Sequence, residues 1–112
     1  MKLAIVGSRT FEDYDQLKAE INPTNITEIV SGGAMGADTL AEKYAREFGI
    51  PITIFHADWK KFGPSAGPKR NTQIVEYCDA VIAFWDGSSS GTKDTISKTR
   101  RAKKPIKVVI YF

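Results

Sequence analysis

Five short apolar runs recur along the chain: Leu3–Val6, Ile26–Val30, Ile52–Phe55, Ala80–Trp85 and Ile106–Phe112. A segment with helical patterning or helix-ending residues stands between each run and the next. Runs of this length, rich in Ile, Val and aromatic residues, read as strands. Several are apolar without clean alternation, as strands buried on both faces are. Strict β-α alternation calls for a parallel sheet with helices on both sides. Right-handed crossovers leave few topologies. The expectation is an α/β, Rossmann-like three-layer fold, a five-stranded parallel sheet in the order 3-2-1-4-5.

The clearest helix spans residues 37–48. Ala37, Leu40, Ala41, Tyr44, Ala45 and Phe48 fall on one continuous face. Gly49 supplies a stop and Pro51 forbids continuation. Tyr14, Leu17 and Ile21 mark a shorter helix ended by Asn22-Pro23. A third is predicted over residues 67–77 and a fourth over about 92–103, poor in apolar residues and closed by Pro105. The stretch His56 to Ala66 carries no periodicity and reads as an irregular, functional loop.

A chain of 112 residues suits one domain, here 1–112. Its single cysteine, Cys78, excludes an internal disulfide and fits a reducing compartment. The first apolar run is too short for a signal-peptide core or a membrane span, so a cytoplasmic protein with no membrane partner is expected. Residues 93–112 hold seven Lys/Arg against Asp94, leaving −3 for residues 1–92 of the net +3. That basic end reads either as a contact for an anion such as nucleic acid or as a solvated helix face whose late cations favour the helix C-terminus.

In an open parallel sheet, ligands bind beyond the carboxyl ends of the strands, near the point where strand order reverses. The residues that follow each strand are therefore the site candidates. After the first come Gly7, Ser8 and Arg9. The arginine can pair bidentately with a phosphate, or with an acid such as Asp38 or Asp86. After the second comes "SGGAMGAD", with Gly32, Gly33 and Gly36 opening a helix whose N-terminal N–H groups favour an anion. The same glycines also suit a turn that needs them for geometry alone. Its spacing matches neither a dinucleotide fingerprint nor a P-loop. Asp38, in the first helical turn, can meet a ribose hydroxyl or merely favour the dipole. After the third come His56, Asp58 and Trp59, the last a base-stacking surface or a core anchor. One histidine, no paired cysteines and scattered acids make a poor metal site, so neither metal nor resident cofactor is expected. "AGPKRN" opens the third helix and projects Arg70 and Asn71. After the fourth strand, Asp86, Gly87, Ser88, Ser89, Ser90, Gly91 and Thr92 form a second cradle of hydroxyls and main-chain N–H groups.

The combination "VGSRTF…DY", "VSGGAMGADTLAEKYA", "ADW…GPSAGPKRN" and "AFWDGSSSGTKDTI" resembles the YspA-type branch of the SLOG superfamily, over roughly residues 3–110. That superfamily unites the DNA-processing protein DprA/SMF with the LOG cytokinin-activating enzymes. The resemblance implies a fold that binds nucleotide derivatives, with phosphates held by Gly32, Gly33 and Gly36 and by Ser88–Thr92. It also implies a place in stress or phage settings, and frequent homo-oligomers. Tyr111 and Phe112 are read as exposed aromatics suited to such assembly. The LOG motif resembles P-G-G-x-G-T-x-x-E, with the glutamate catalytic. Thr95 stands at that position here, and threonine is no carboxylate base. Asp94, one residue off, is turned about 100° away on a helix.

Three functions follow. The first is a sensor, carrier or sequestering protein for a nucleotide-derived small molecule, with no enzymatic turnover. The second is a nucleoside-phosphate or NAD-like N-glycoside hydrolase, with Asp38, Asp58 and Asp86 as candidate catalytic acids. The third is a DprA-like module for single-stranded nucleic acid.

Overall fold

Neighbouring residues of the central strands belong to different cores. Along the first strand, Leu3 and Ile5 enter one apolar cluster while Ala4 and Val6 enter another. Along the fourth, Ala80, Ile82 and Phe84 join the first cluster and Val81 and Ala83 the second. Side chains alternate across a strand, so a strand with two cores is covered on both faces.

The computed structural model describes residues 1–112 and shows why. Strands β1 (Lys2–Gly7), β2 (Glu28–Ser31), β3 (Ile52–Ile54), β4 (Ala80–Trp85) and β5 (Ile106–Ile110) form one sheet in the order β3-β2-β1-β4-β5. All four pairings are parallel, with Ile5 opposite Ile82 and Ala4 opposite Val30. Helices α1 (Tyr14–Glu20) and α2 (Ala37–Phe48) close the first cluster with Leu17, Ala41 and Tyr44. Helices α4 (Ala66–Tyr77) and α5 (Ser90–Arg101) close the second with Ile74 and Ile96. Full burial of a side chain the size of Leu17, Ile74 or Ile96 contributes about 1.5–3 kcal/mol. No helix is long and apolar enough to cross a membrane.

Element boundaries differ from expectation where local chemistry outweighs hydropathy. Ile26 is buried but precedes the second strand, because Pro23–Asn25 forms a 3-10 turn that Ile26 closes. The stretch from His56 to Ala66 is largely helical: α3 (Trp59–Phe62), a 3-10 turn over Gly63–Ser65, then the first residue of α4. Asp58 caps α3 by accepting from Lys61 N at 3.1 Å. Single turns are too short to carry periodicity, so the pattern did not show them.

Helix α5 begins at Ser90, two residues early, and presents Thr92, Thr95, Ile96 and Thr99 as its buried face. Thr99 Oγ1 donates to Thr95 O at 2.7 Å and Thr95 Oγ1 to Gly91 O at 3.3 Å. Hydroxyls satisfied by their own helix can be buried like small apolar groups. Only one of the two C-terminal aromatics is free. Phe112 is wholly exposed, whereas Tyr111 packs 5.0 Å from Phe11, and its hydroxyl pairs with Thr10 Oγ1 at 2.7 Å.

Candidate functional site

β1 and β4 are neighbours in the sheet, yet their chain connections run to opposite sides of it. The loops at their carboxyl ends must diverge there and leave a crevice. The cleft has a volume of about 640 Å³. Its walls are the β1 loop, the N-termini of α4 and α5, Asp38 from α2 and Trp59 from α3.

The β1 and β4 loops are joined by a chain of hydroxyls. Ser8 Oγ accepts from Asp86 N at 3.2 Å and lies 3.0 Å from Ser89 Oγ, which donates to Thr92 Oγ1 at 2.9 Å. Asp86 Oδ1 accepts from the main-chain N–H groups of Ser88 at 2.9 Å and Ser89 at 2.8 Å. These donors hold the Asp86 carboxylate below the usual aspartate range. The expected cradle therefore divides in two. Asp86, Ser88 and Ser89 satisfy one another, while no side chain caps the first turn of α5. Its opening N–H groups, from Ser90, Gly91 and Thr92, have no partners within the helix and border the cleft.

On the opposite wall, Arg70 is held in place by the protein. Its Nη1 donates to Gly32 O at 2.7 Å and its Nε to Asn71 Oδ1 at 2.9 Å. Asn71 is buried and turns its amide the other way, to Gly91 O at 3.2 Å and Asp94 Oδ2 at 3.1 Å. Asp94 in turn pairs with Lys98 Nζ at 2.8 Å. One asparagine thus fixes the guanidinium on α4 and ties α4 to α5, leaving Nη2 of Arg70 unclaimed. Burial lowers the Arg70 pKa; nearby Asp38 opposes this, and nearby Arg9 adds to it. Arg9 is exposed and makes no ion pair with Asp38 or Asp86.

Asp38 is 5 % exposed. Its Oδ2 accepts from Ala34 N at 3.1 Å, while Oδ1 is buried with no hydrogen-bond partner. Burial pushes its carboxyl up to about 6, against the opposing pull of Ala34 N–H and Arg70.

The glycines of "SGGAMGAD" have identifiable neighbours. A Cβ at Gly32 would sit 2.6 Å from Arg70 Nη1 and 2.9 Å from Asp38 Oδ2, so the bare backbone there admits two of the protein's own polar groups. Gly36 has φ +76° and lies against the Ser8 and Arg9 main chain, where no L side chain fits.

Of the residues expected at the site, Gly7, Ser8, Arg9, Asp38, Trp59, Arg70, Asn71, Asp86, Ser89, Ser90, Gly91 and Thr92 line the cleft. Gly32 and Gly33 line an adjoining cleft instead. Gly36, Gly87 and Ser88 border neither, and Asp58 is occupied in capping α3. Asp94, Thr95 and Thr10 also line the cleft without having been expected to. The Asp94/Lys98 spacing of i, i+4 was visible in the sequence, but its junction with Asn71 depends on two helices meeting. Thr95, at the position of the LOG glutamate, turns its hydroxyl back onto its own helix.

A five-stranded parallel sheet with a crevice at its reversal point defines the class: a Rossmann-like domain with basic groups and helix N-termini at the strand ends. The sequence profile of YAcAr, the YspA, cpYpsA-related SLOG family, matches residues 1–62. The Gene 61 protein of Mycobacterium phage D29 is 33 % identical over 117 aligned positions, covering 94 % of this chain and 93 % of that protein. The chain belongs to the YspA, cpYpsA-related SLOG family. Among solved structures, DNA processing protein A (DprA) of Streptococcus pneumoniae superimposes over 99 % of this chain with a TM-score of 0.79 at 22 % identity. The match spans 50 % of that chain, and at this identity it shows a common fold.

Proposed function

We propose that this protein binds a nucleotide-derived small molecule as a sensor, carrier or sequestering protein. The phosphate would lie between the open first turn of α5 and the guanidinium groups of Arg9 and Arg70. The observation that carries this reading is the convergence of those three features on one cleft. Each is a recognised anion-binding device. Neither guanidinium group has a carboxylate within ion-pair distance, although Asp38 lies near Arg70, and this favours a negatively charged occupant. Asp38 Oδ1 would accept from a ligand hydroxyl, since a buried acceptor without a partner carries a desolvation cost that a donor removes.

The test is to purify the protein, denature it and identify released small molecules by mass spectrometry, then titrate a nucleotide panel by calorimetry. Arg9→Ala should weaken nucleotide binding by about 10- to 100-fold, the worth of a charge-assisted hydrogen bond. Unchanged affinity in that variant would sink the reading.

One observation favours turnover as a second reading. Asp38 lines the cleft, and burial pushes its carboxyl up to about 6, so a protonated fraction persists near neutral pH and can serve a departing base. Hydrolytic N-glycosidic cleavage, with water attacking the anomeric carbon while Asp38 gives its proton to the departing base, predicts release of free base and sugar phosphate together, lost in Asp38→Asn.

A further inference from the structure

The main cleft does not end at Arg70. A second cleft of about 510 Å³ adjoins it and shares Arg9, Ala34, Trp59 and Arg70 as a common wall. Its far side is built from Met35, Thr39, Glu42 and His56. Met35 is 70 % exposed and Trp59 52 %, a large outlay of apolar surface beside a polar crevice. The Trp59 ring edge lies 3.2 Å from where Gly67 would carry a Cβ, so the indole is backed by the start of α4.

The charge distribution across the two clefts is uneven. Both arginines stand on the shared wall, close enough for Arg9 to lower the pKa of Arg70. Like charges are held together there with no carboxylate ion pair to either. The anionic part of a ligand belongs on that wall, between the clefts. Each side then has room and surface for an uncharged ring system. The main cleft offers the hydroxyl chain and Asp38. The second offers an aromatic face, a thioether and the hydrogen-bonding edges of His56, Thr39 and Glu42, a combination suited to stacking and reading a base.

We infer that the ligand is a phosphoanhydride substituted on both sides: a small molecule of dinucleotide type whose pyrophosphate straddles Arg9 and Arg70, with one nucleoside-sized group in each cleft. This rests on the nucleotide-binding reading above and adds the ligand's two-sidedness. Two adjoining lobes of similar size that meet at the arginines match the two ends of a discrete small molecule.

Calorimetry on the full chain with ADP, diadenosine diphosphate and a short oligothymidylate tests it. Diadenosine diphosphate should bind about 5- to 100-fold tighter than ADP, the range expected for one more stacked base. Met35→Ala and His56→Ala, both at exposed positions, should bring the ratio of the two affinities close to one. Equal affinities in the unaltered protein would overturn this inference and leave the nucleotide-binding reading standing. A full ratio retained in both variants would overturn the placement in the second cleft. Tighter binding of oligothymidylate than of diadenosine diphosphate would overturn the small-molecule assignment. No binding of any of the three would overturn both readings.

Discussion

Asp38 is the residue whose chemistry depends most on its surroundings. In the unfolded chain its carboxyl has an ordinary value of 3.8; in the fold, burial pushes it up to about 6. Between those values the folded protein binds more protons than the unfolded chain, so stability falls as pH rises through that window. Above it the buried charge costs about 2–3 kcal/mol. Asp38→Asn keeps an oxygen for Ala34 N–H and removes the charge. Its melting temperature should exceed that of the parent near pH 8, and the gain should vanish as the pH is lowered towards 4. Thermal melts across that range check this, and a gain independent of pH would count against a buried charge. The same variant should bind ligand less well, a trade of stability for function common at binding sites.

At the scale of elements, α5 carries the basic end of the chain, and much of that charge is used internally. Lys104, just beyond the helix, donates to Val75 O at 2.6 Å, Glu76 O at 3.1 Å and Cys78 O at 2.7 Å, closing the C-terminus of α4. Lys98 bridges Asp94 and Pro68 O, and Lys107 pairs with Glu20. A cation on the last carbonyls of a helix satisfies orphan acceptors and complements the dipole. Lys104→Met should therefore destabilise the protein by about 1–3 kcal/mol in urea titration. Arg100 and Arg101 remain exposed. If single-stranded nucleic acid binds at all, neutralising those two should flatten the salt dependence of its affinity, measured by fluorescence anisotropy. The basic composition was plain in the sequence. Its division into structural and free cations was not, because Lys104 meets α4 across 26 to 29 residues of chain.

At the scale of the whole molecule, the cleft lies where the two halves of the sheet meet. One half supplies Asp38 and the carbonyl of Gly32; the other supplies Asn71 and the α5 terminus. A ligand bridging them favours the folded state by mass action, about 2.7 kcal/mol at a hundred times its dissociation constant. A nucleotide that binds should raise the melting temperature in step with its calorimetric affinity, and Arg9→Ala should cut that rise by about half or more at the same ligand concentration. A rise preserved in Arg9→Ala would place the stabilising ligand elsewhere.

What the sequence by itself determined is the architecture: five apolar runs with helices between them admit few right-handed parallel arrangements, and the order β3-β2-β1-β4-β5 is one of them. It also determined at which edge of the sheet those loops gather, since every loop after a strand of a parallel sheet emerges on the same side. It did not determine which of their residues face the crevice: Gly32 and Gly33 line the adjoining cleft, and Gly36 and Gly87 line neither. The single-turn helix at Trp59–Phe62 lay below the reach of periodicity, and the threonine face of α5 below that of hydropathy. Tertiary structure alone decided how the site's polar groups are shared out. Gly32 makes room for Arg70 and Asp38, Asp86 consumes two of the cradle's N–H groups, and Asn71 joins two helices. Those choices rest on contacts between residues distant in the chain, and their energies depend on burial, which no local pattern carries.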